Sequence, residues 1–166
     1  MPRGKSRQSR IGKNERKHLQ SFVKYVGGYR ISKKNARDKE TKFNDRMRDY
    51  LWQSRFDVEN RNIPVTKVVG EIFRPEFYLK SSGGGRLCAV ECKRLTDSHA
   101  KSRWKEGLSQ ALLYSFTYKA VILVLFDFTK NARYAAKFGR GRTLENRLSK
   151  TLEKYHNIYL TILIPE

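Results

Sequence analysis

Ala120 to Phe128 is nearly all apolar, nine residues with Asp127 as the one charge. A run this short that is apolar on both alternating faces reads as a strand covered on both sides, in the middle of a sheet flanked by helices. The rest of the chain supplies the layers that such a strand needs. Helical spacing of Leu19, Phe22, Val23 and Val26 predicts a short helix over Asn14–Val26, capped by Asn14 and ended by Gly27-Gly28. A second helix is expected from about Asn35 to Ser54, with Phe43, Met47, Tyr50 and Leu51 inward. A third is expected over Lys101–Tyr118, carrying Trp104, Leu108, Ala111, Leu112 and Ser115, and a fourth from Thr143 through Leu144, Leu148 and Leu152. Strands are predicted at Val65–Phe73, Glu76–Lys80, Leu87–Lys93 and Ile158–Ile164. The fold class is therefore α/β, a mixed central sheet flanked by helices, with the order αβββαβαβ over residues 35–166. Residues 1–34 read as a basic N-terminal extension carrying the first short helix.

The chemistry concentrates between Arg74 and Lys93. Leu87–Lys93 has the composition of a buried strand, and residues two apart on a strand share a face about 6.6 Å from each other, so Glu91 and Lys93 project together. A carboxylate and an ammonium are costly to bury unless they pair with each other or with a metal. Glu76 follows Pro75, and a hairpin through Ser81-Ser82-Gly83-Gly84-Gly85-Arg86 brings it beside Glu91. Oxygen ligands of this kind hold magnesium or manganese rather than zinc. A lysine beside them can orient or deprotonate the attacking water and stabilise charge on a phosphate. The chemistry supported is phosphodiester hydrolysis.

These residues resemble the PD-(D/E)xK, or restriction-endonuclease-like, nuclease superfamily. Pro75-Glu76 stands for the first acidic motif, and Glu91-Cys92-Lys93, separated from Glu76 by fourteen residues, for the second. The family usually has Asp where this chain has Glu76, a longer carboxylate in the same chemical role. The predicted order of elements is also the family's core. The resemblance implies a hydrolase that is a magnesium-dependent (or manganese-dependent) endonuclease acting on DNA, with RNA less favoured. Glu76, Glu91 and the Cys92 carbonyl would be metal ligands, and Lys93 would act on the water. Glu40, on the helix before the strands, is the candidate third carboxylate, with Asp45 and Asp49 as substitutes. Gln110 matches a glutamine that some branches carry near the site. The rival reading is a non-catalytic nucleic-acid-binding protein that keeps the fold, or a nuclease for branched DNA or RNA. A homodimer would suit the cutting of both strands of a duplex.

Charge points to the same partner. The chain carries 36 Lys and Arg against 16 Asp and Glu, a net charge of +20. Residues 1–39 hold thirteen cations against Glu15 and Asp38, or +11, and the remainder carries 23 minus 14, or +9. An excess on both segments argues for a polyanion, and nucleic acid is the most common one. Arg3, Lys5, Arg7, Arg10 and Lys13 form a basic arm suited to backbone phosphates. Arg133, Lys137, Arg140 and Arg142, interleaved with Tyr134 and Phe138 in a stretch read as a loop over Lys130–Arg142, suit phosphates and a displaced base. No apolar run approaches a membrane span, and the amino terminus lacks a secretory core, so a cytoplasmic or nucleoid-associated protein is expected. Cys88 and Cys92, about 13 Å apart on one strand, are too distant for a disulfide and read as small core residues.

Overall fold

In the computed structural model, which describes residues 11–166, the chain begins with α1 (Lys13–Gly27). Its first turn is closed by Glu15 Oε2, which accepts the Gly12 N–H at 3.0 Å, so Gly12 rather than Asn14 takes the cap position. The expected long second helix is broken. A 3₁₀ turn covers Lys33–Arg37, Asp38 and Lys39 are extended, and α2 runs from Glu40 to Trp52. Asp38 holds the break by lying just ahead of the positive helix end, where it pairs with Arg46 at 2.7 Å and Lys42 at 3.6 Å.

Next come β1 (Val58–Glu59), β2 (Thr66–Val68), β3 (Glu71–Phe73), β4 (Phe77–Lys80) and β5 (Arg86–Leu95). They are followed by α3 (Ala100–Tyr114), β6 (Ala120–Asp127), α4 (Arg133–Gly139), α5 (Leu144–His156) and β7 (Ile158–Leu163). The central sheet has the order β1-β4-β5-β6-β7. Its first two pairings are antiparallel, and β5-β6 and β6-β7 are parallel. All eight residues of β6 are buried, as their unbroken apolarity requires.

Alternation on β5 and β6 sorts the core into two layers. Cys88, Val90, Cys92, Ile122, Val124 and Phe126 face α1 and α2, where they meet Leu19, Phe22, Phe43 and Met47. Ala89, Leu95, Val121, Leu123 and Leu125 face α3 and α5, against Ala111, Tyr114 and Leu152. Leu19, Phe22 and Val26 of α1 are fully buried in the same cluster as Phe43 and Met47 of α2. No break in the core therefore falls at residue 34, and α1 is part of the domain.

Two segments differ from the sequence expectation. Val65–Phe73 is not one strand of the main sheet but the separate hairpin β2-β3, turning at Val69 and Gly70, both with positive φ (49° and 83°). The edge strand of the main sheet is β1 instead. The hairpin is tied down by Thr66 Oγ1, 2.6 Å from Thr117 Oγ1, and by the Tyr118 hydroxyl, which donates to the Pro64 carbonyl at 2.6 Å. Lys130–Arg142 is not a loop throughout, because Arg133–Gly139 is helical. Asp127, at the end of β6, organises that turn: one oxygen accepts from Thr129 and the other from the Ala135 N–H at 2.9 Å, an anion at the helix start. Thr143 caps α5 by accepting the Asn146 N–H at 3.1 Å.

Candidate active site

Glu91 and Lys93 lie two apart on β5, on the face covered by α3, and are 2% and 4% exposed. Lys93 Nζ donates to Glu91 Oε1 at 2.6 Å. Pairing of Phe77 with Val90 places Glu76 opposite Glu91, just outside the start of β4, and the Glu76 N–H donates to the Val90 carbonyl at 3.1 Å. Directly opposed residues of an antiparallel pair share a face, so the three predicted side chains converge.

The opposite side of the pocket comes from α3. A Cβ on Gly107 would lie 2.9 Å from Lys93 Cγ and 3.0 Å from Leu123 Cδ1, so the close approach of α3 depends on this glycine. Beside it, Glu106 Oε1 stands 3.4 Å from Lys93 Nζ, and Glu106 Oε2 accepts from Arg103 at 2.6 Å. The Tyr114 hydroxyl is near enough to the Glu91 carboxyl to favour its charged form, yet neither that hydroxyl nor Glu91 Oε2, both buried, completes a hydrogen bond. A buried, orphaned carboxylate oxygen is costly and favours a cation or a proton at that position.

The electrostatics follow from burial and crowding. Burial pushes the Glu91 carboxyl up to about 7, with Lys93 opposing and Glu76 adding repulsion. Glu76 is raised as well, first by burial, with Lys93 pulling down and Glu40 and Asp45 pushing up. Burial pulls Lys93 downward, but Glu91, Glu106 and Glu40 outweigh it and hold the ammonium above the ordinary lysine value. In this arrangement Lys93 is a charged donor, not a base.

Glu40, the first residue of α2, is half-buried and engaged on both oxygens. Its Oε2 accepts the Arg94 N–H at 3.0 Å and its Oε1 accepts from Arg103. Asp45 and Asp49 both pair with Arg48, at 2.8 Å and 3.2 Å. Asp45 and Glu76 also line a cavity of about 270 Å³ together with Asn44, Arg48 and Arg74. The Cys92 side chain points to the opposite layer, into the α1-α2 core, where burial raises its thiol far above the usual range. The Cys92 thiol is therefore turned away from Glu91 and Lys93. Gln110, one turn beyond Glu106, is half-buried, and its Oε1 has no hydrogen-bond partner. Cys88 and Cys92 form no disulfide.

Among the described residues no three His, Cys, Asp or Glu side chains converge as a ready metal group. The residues present fit a hard cation held by the two carboxylates Glu76 and Glu91, with water and phosphate oxygens filling the other positions, as magnesium prefers. Of the predicted phosphate-binding residues, Arg133, Lys137, Arg140 and Arg142 are exposed on and after α4, and Lys13 is exposed at the start of α1. Arg3, Lys5, Arg7 and Arg10 lie outside the described residues. Glu106, Arg103, Gly107 and Tyr114 were not singled out from sequence. Glu106 alone carried a signal, standing four residues before Gln110 on one helix face. No helix among the described residues is long and apolar enough to cross a membrane. Comparison with protein families, with curated proteins and with solved structures gives no match.

Proposed function

We propose that the chain is a magnesium-dependent nuclease of the PD-(D/E)xK type, an endonuclease hydrolysing phosphodiester bonds in DNA. The observation that carries this reading is the placement of Glu76 opposite Glu91, with Lys93 on the same face and Glu91 Oε2 left without a partner. The order α2-β1-β4-β5-α3-β6-α5-β7, with the β2-β3 hairpin and α4 as insertions, supports it, as does the net charge of +20.

Magnesium, when bound, supplies Lewis acidity and a more acidic water. Glu76 and Glu91 would hold it, with the Cys92 carbonyl as a third oxygen. Lys93 keeps its proton, orients the attacking water and donates to a phosphate oxygen, balancing the charge that develops there, while the water's proton passes to solvent and the leaving oxygen takes one back from it. Glu106 and Arg103 position Lys93 from α3. Glu40 acts through the Arg94 N–H and Arg103, and joins the metal shell only if Arg103 moves away. Gln110 offers an amide to the scissile strand. A homodimer would cut both strands of a duplex, and a single copy would nick.

A second reading is a nucleic-acid-binding protein without the reaction. It is favoured by the closed Glu91-Lys93-Glu106 cluster and by the engagement of Glu40 with Arg103. Supercoiled, linear, branched and single-stranded DNA, and RNA, incubated with and without magnesium, separate the two. Magnesium-dependent cutting that E91A and K93A abolish supports the nuclease. Shifted mobility of these substrates without cutting at any magnesium concentration refutes it.

A further inference from the structure

A cleft of about 410 Å³ lies among α3, α4 and α5. Its wall is aromatic. The Trp104 indole meets the Phe138 ring edge-on with centroids 5.1 Å apart, and Tyr134 stands beside them on α4. Its rim is basic, formed by Lys101 at the start of α3 and by Arg133 and Lys137 on α4, all three exposed. Acids reach this rim only weakly: Glu145 lies 3.8 Å from Lys137, and Asp97 lies 3.9 Å from Arg133. Pairs that long and exposed contribute least among ion pairs, so the cations remain available to an incoming anion.

Cations alone would suit the phosphates of any duplex. The rings between them have no use for paired bases, which stay stacked inside the helix. An aromatic wall with cations at its mouth, one of them the Arg133 guanidinium 5.9 Å from the Tyr134 ring centre, matches one unpaired base and the phosphates on either side of it. The cleft also lies next to the candidate active site. Gly107, which packs on Lys93, is three residues along α3 from Trp104, a rise of about 4.5 Å.

We propose that the cleft takes an unpaired base of a DNA strand, stacked on Trp104 and Tyr134, with its neighbouring phosphates on Lys101, Arg133 and Lys137. The preferred substrate is then DNA in which a single-stranded segment adjoins duplex. This narrows the nucleic-acid reading above and rests on it.

The test leaves magnesium out, so that cleavage does not enter the readout. Fluorescence anisotropy at one salt concentration compares the wild-type protein on a blunt duplex and on a duplex of equal length interrupted by a single-stranded gap. The gapped DNA should bind about tenfold more tightly, the order of one base stacked on an aromatic ring. W104A should bring the two affinities together, and W104F should keep most of the difference. Equal affinities in the wild type, or a preference that survives W104A, overturn the proposal. In a W52F protein, emission from Trp104 gives a second readout that needs no W104A variant to fold. Quenching by gapped but not blunt DNA supports the cleft, and unchanged emission with both overturns it. A preference for gapped DNA with no cutting once magnesium is added removes the nuclease reading and keeps the cleft. Cutting without the preference does the reverse.

Discussion

Gly107 of α3 presents bare backbone to Lys93, and a Cβ at that position would stand 2.9 Å from Lys93 Cγ. The contact is to the root of the lysine side chain rather than its flexible end, and Leu123 closes the other side at 3.0 Å. G107A therefore has two opposed effects. Replacing a mid-helix glycine gains about 1 kcal/mol from helix propensity. Overpacking the sheet face costs about 1–3 kcal/mol and shifts Lys93 away from Glu91. Thermal unfolding should show a small net loss, while magnesium-dependent cutting, assayed where the protein is still folded, should fall by at least tenfold. A variant that is both more stable and fully active would show that α3 has room to spare over Lys93.

The pH dependence of stability without metal should report Glu91. Its folded carboxyl is raised to about 7 from an ordinary 4.5. A raised group contributes stability that is complete below its unfolded value and is lost as pH rises through the folded one. The window is thus from about pH 4.5 to somewhat above 7. The shift corresponds to on the order of 3 kcal/mol. E91Q cannot ionise, so the difference in unfolding free energy between wild type and E91Q should move against the wild type between pH 5 and pH 8. Urea titrations at the two pH values measure it. Parallel behaviour of both proteins would mean that Glu91 stays ionised beside Lys93 throughout. If magnesium binds the ionised site, adding it at pH 8 should recover stability in the wild type and not in E91Q.

An opposite sign is expected where α1 meets the sheet. Lys119, just before β6, donates to both Glu15 oxygens at 2.8 and 2.9 Å. These bonds, followed by that from the Gly12 N–H, hold the Glu15 carboxyl below the usual range. A lowered group contributes stability that is present above its unfolded pKa and is lost as pH falls through the folded value, so this loss lies below pH 4.5. E15Q should cost about 1 kcal/mol at pH 7 and less at pH 3, because the loss sets in below pH 4.5. A double-mutant cycle with K119M, measured by urea unfolding at both pH values, isolates the pair. A coupling as large at pH 3 as at pH 7 would rule out the carboxylate as its source.

The residues that converge on Lys93 divide by how they could be read. Glu91 and Lys93 were legible because a strand repeats every two residues, and Glu76 because a short glycine turn returns it to the partner strand. Glu106 and Gly107 reach Lys93 across the packing of α3 on β5, a relation with no fixed spacing in sequence. The β2-β3 hairpin was missed at Val69, a β-branched residue in a left-handed conformation, although Gly70 beside it is a turn signal inside the apolar run from Val65 to Phe73. Helix α4 was hidden because its start is organised from outside, by Asp127 at the end of β6. For Glu106, Gly107 and α4 a tertiary contact decided what local periodicity left open.

The basic arm can be tested by truncation. Residues 1–10 carry Arg3, Lys5, Arg7 and Arg10 and no acidic side chain. Deleting them leaves the Gly12–Glu15 contact that opens α1, and leaves Lys13 in place as the first helical residue. Every core residue described above is retained, and thermal unfolding should be unchanged. If the four cations lie on duplex phosphates, each one lost lowers the slope of log affinity against log salt by about 0.9, so the truncated protein should show a slope shallower by up to roughly 3.5. Cutting of already bound DNA should keep its rate, because Glu76, Glu91 and Lys93 are far from the deletion in sequence and untouched by it. The decisive quantity is the slope, since affinity at one salt concentration also falls if the deletion merely lowers the net charge at long range. A slope equal to that of the intact chain would assign the four cations to something other than DNA contact.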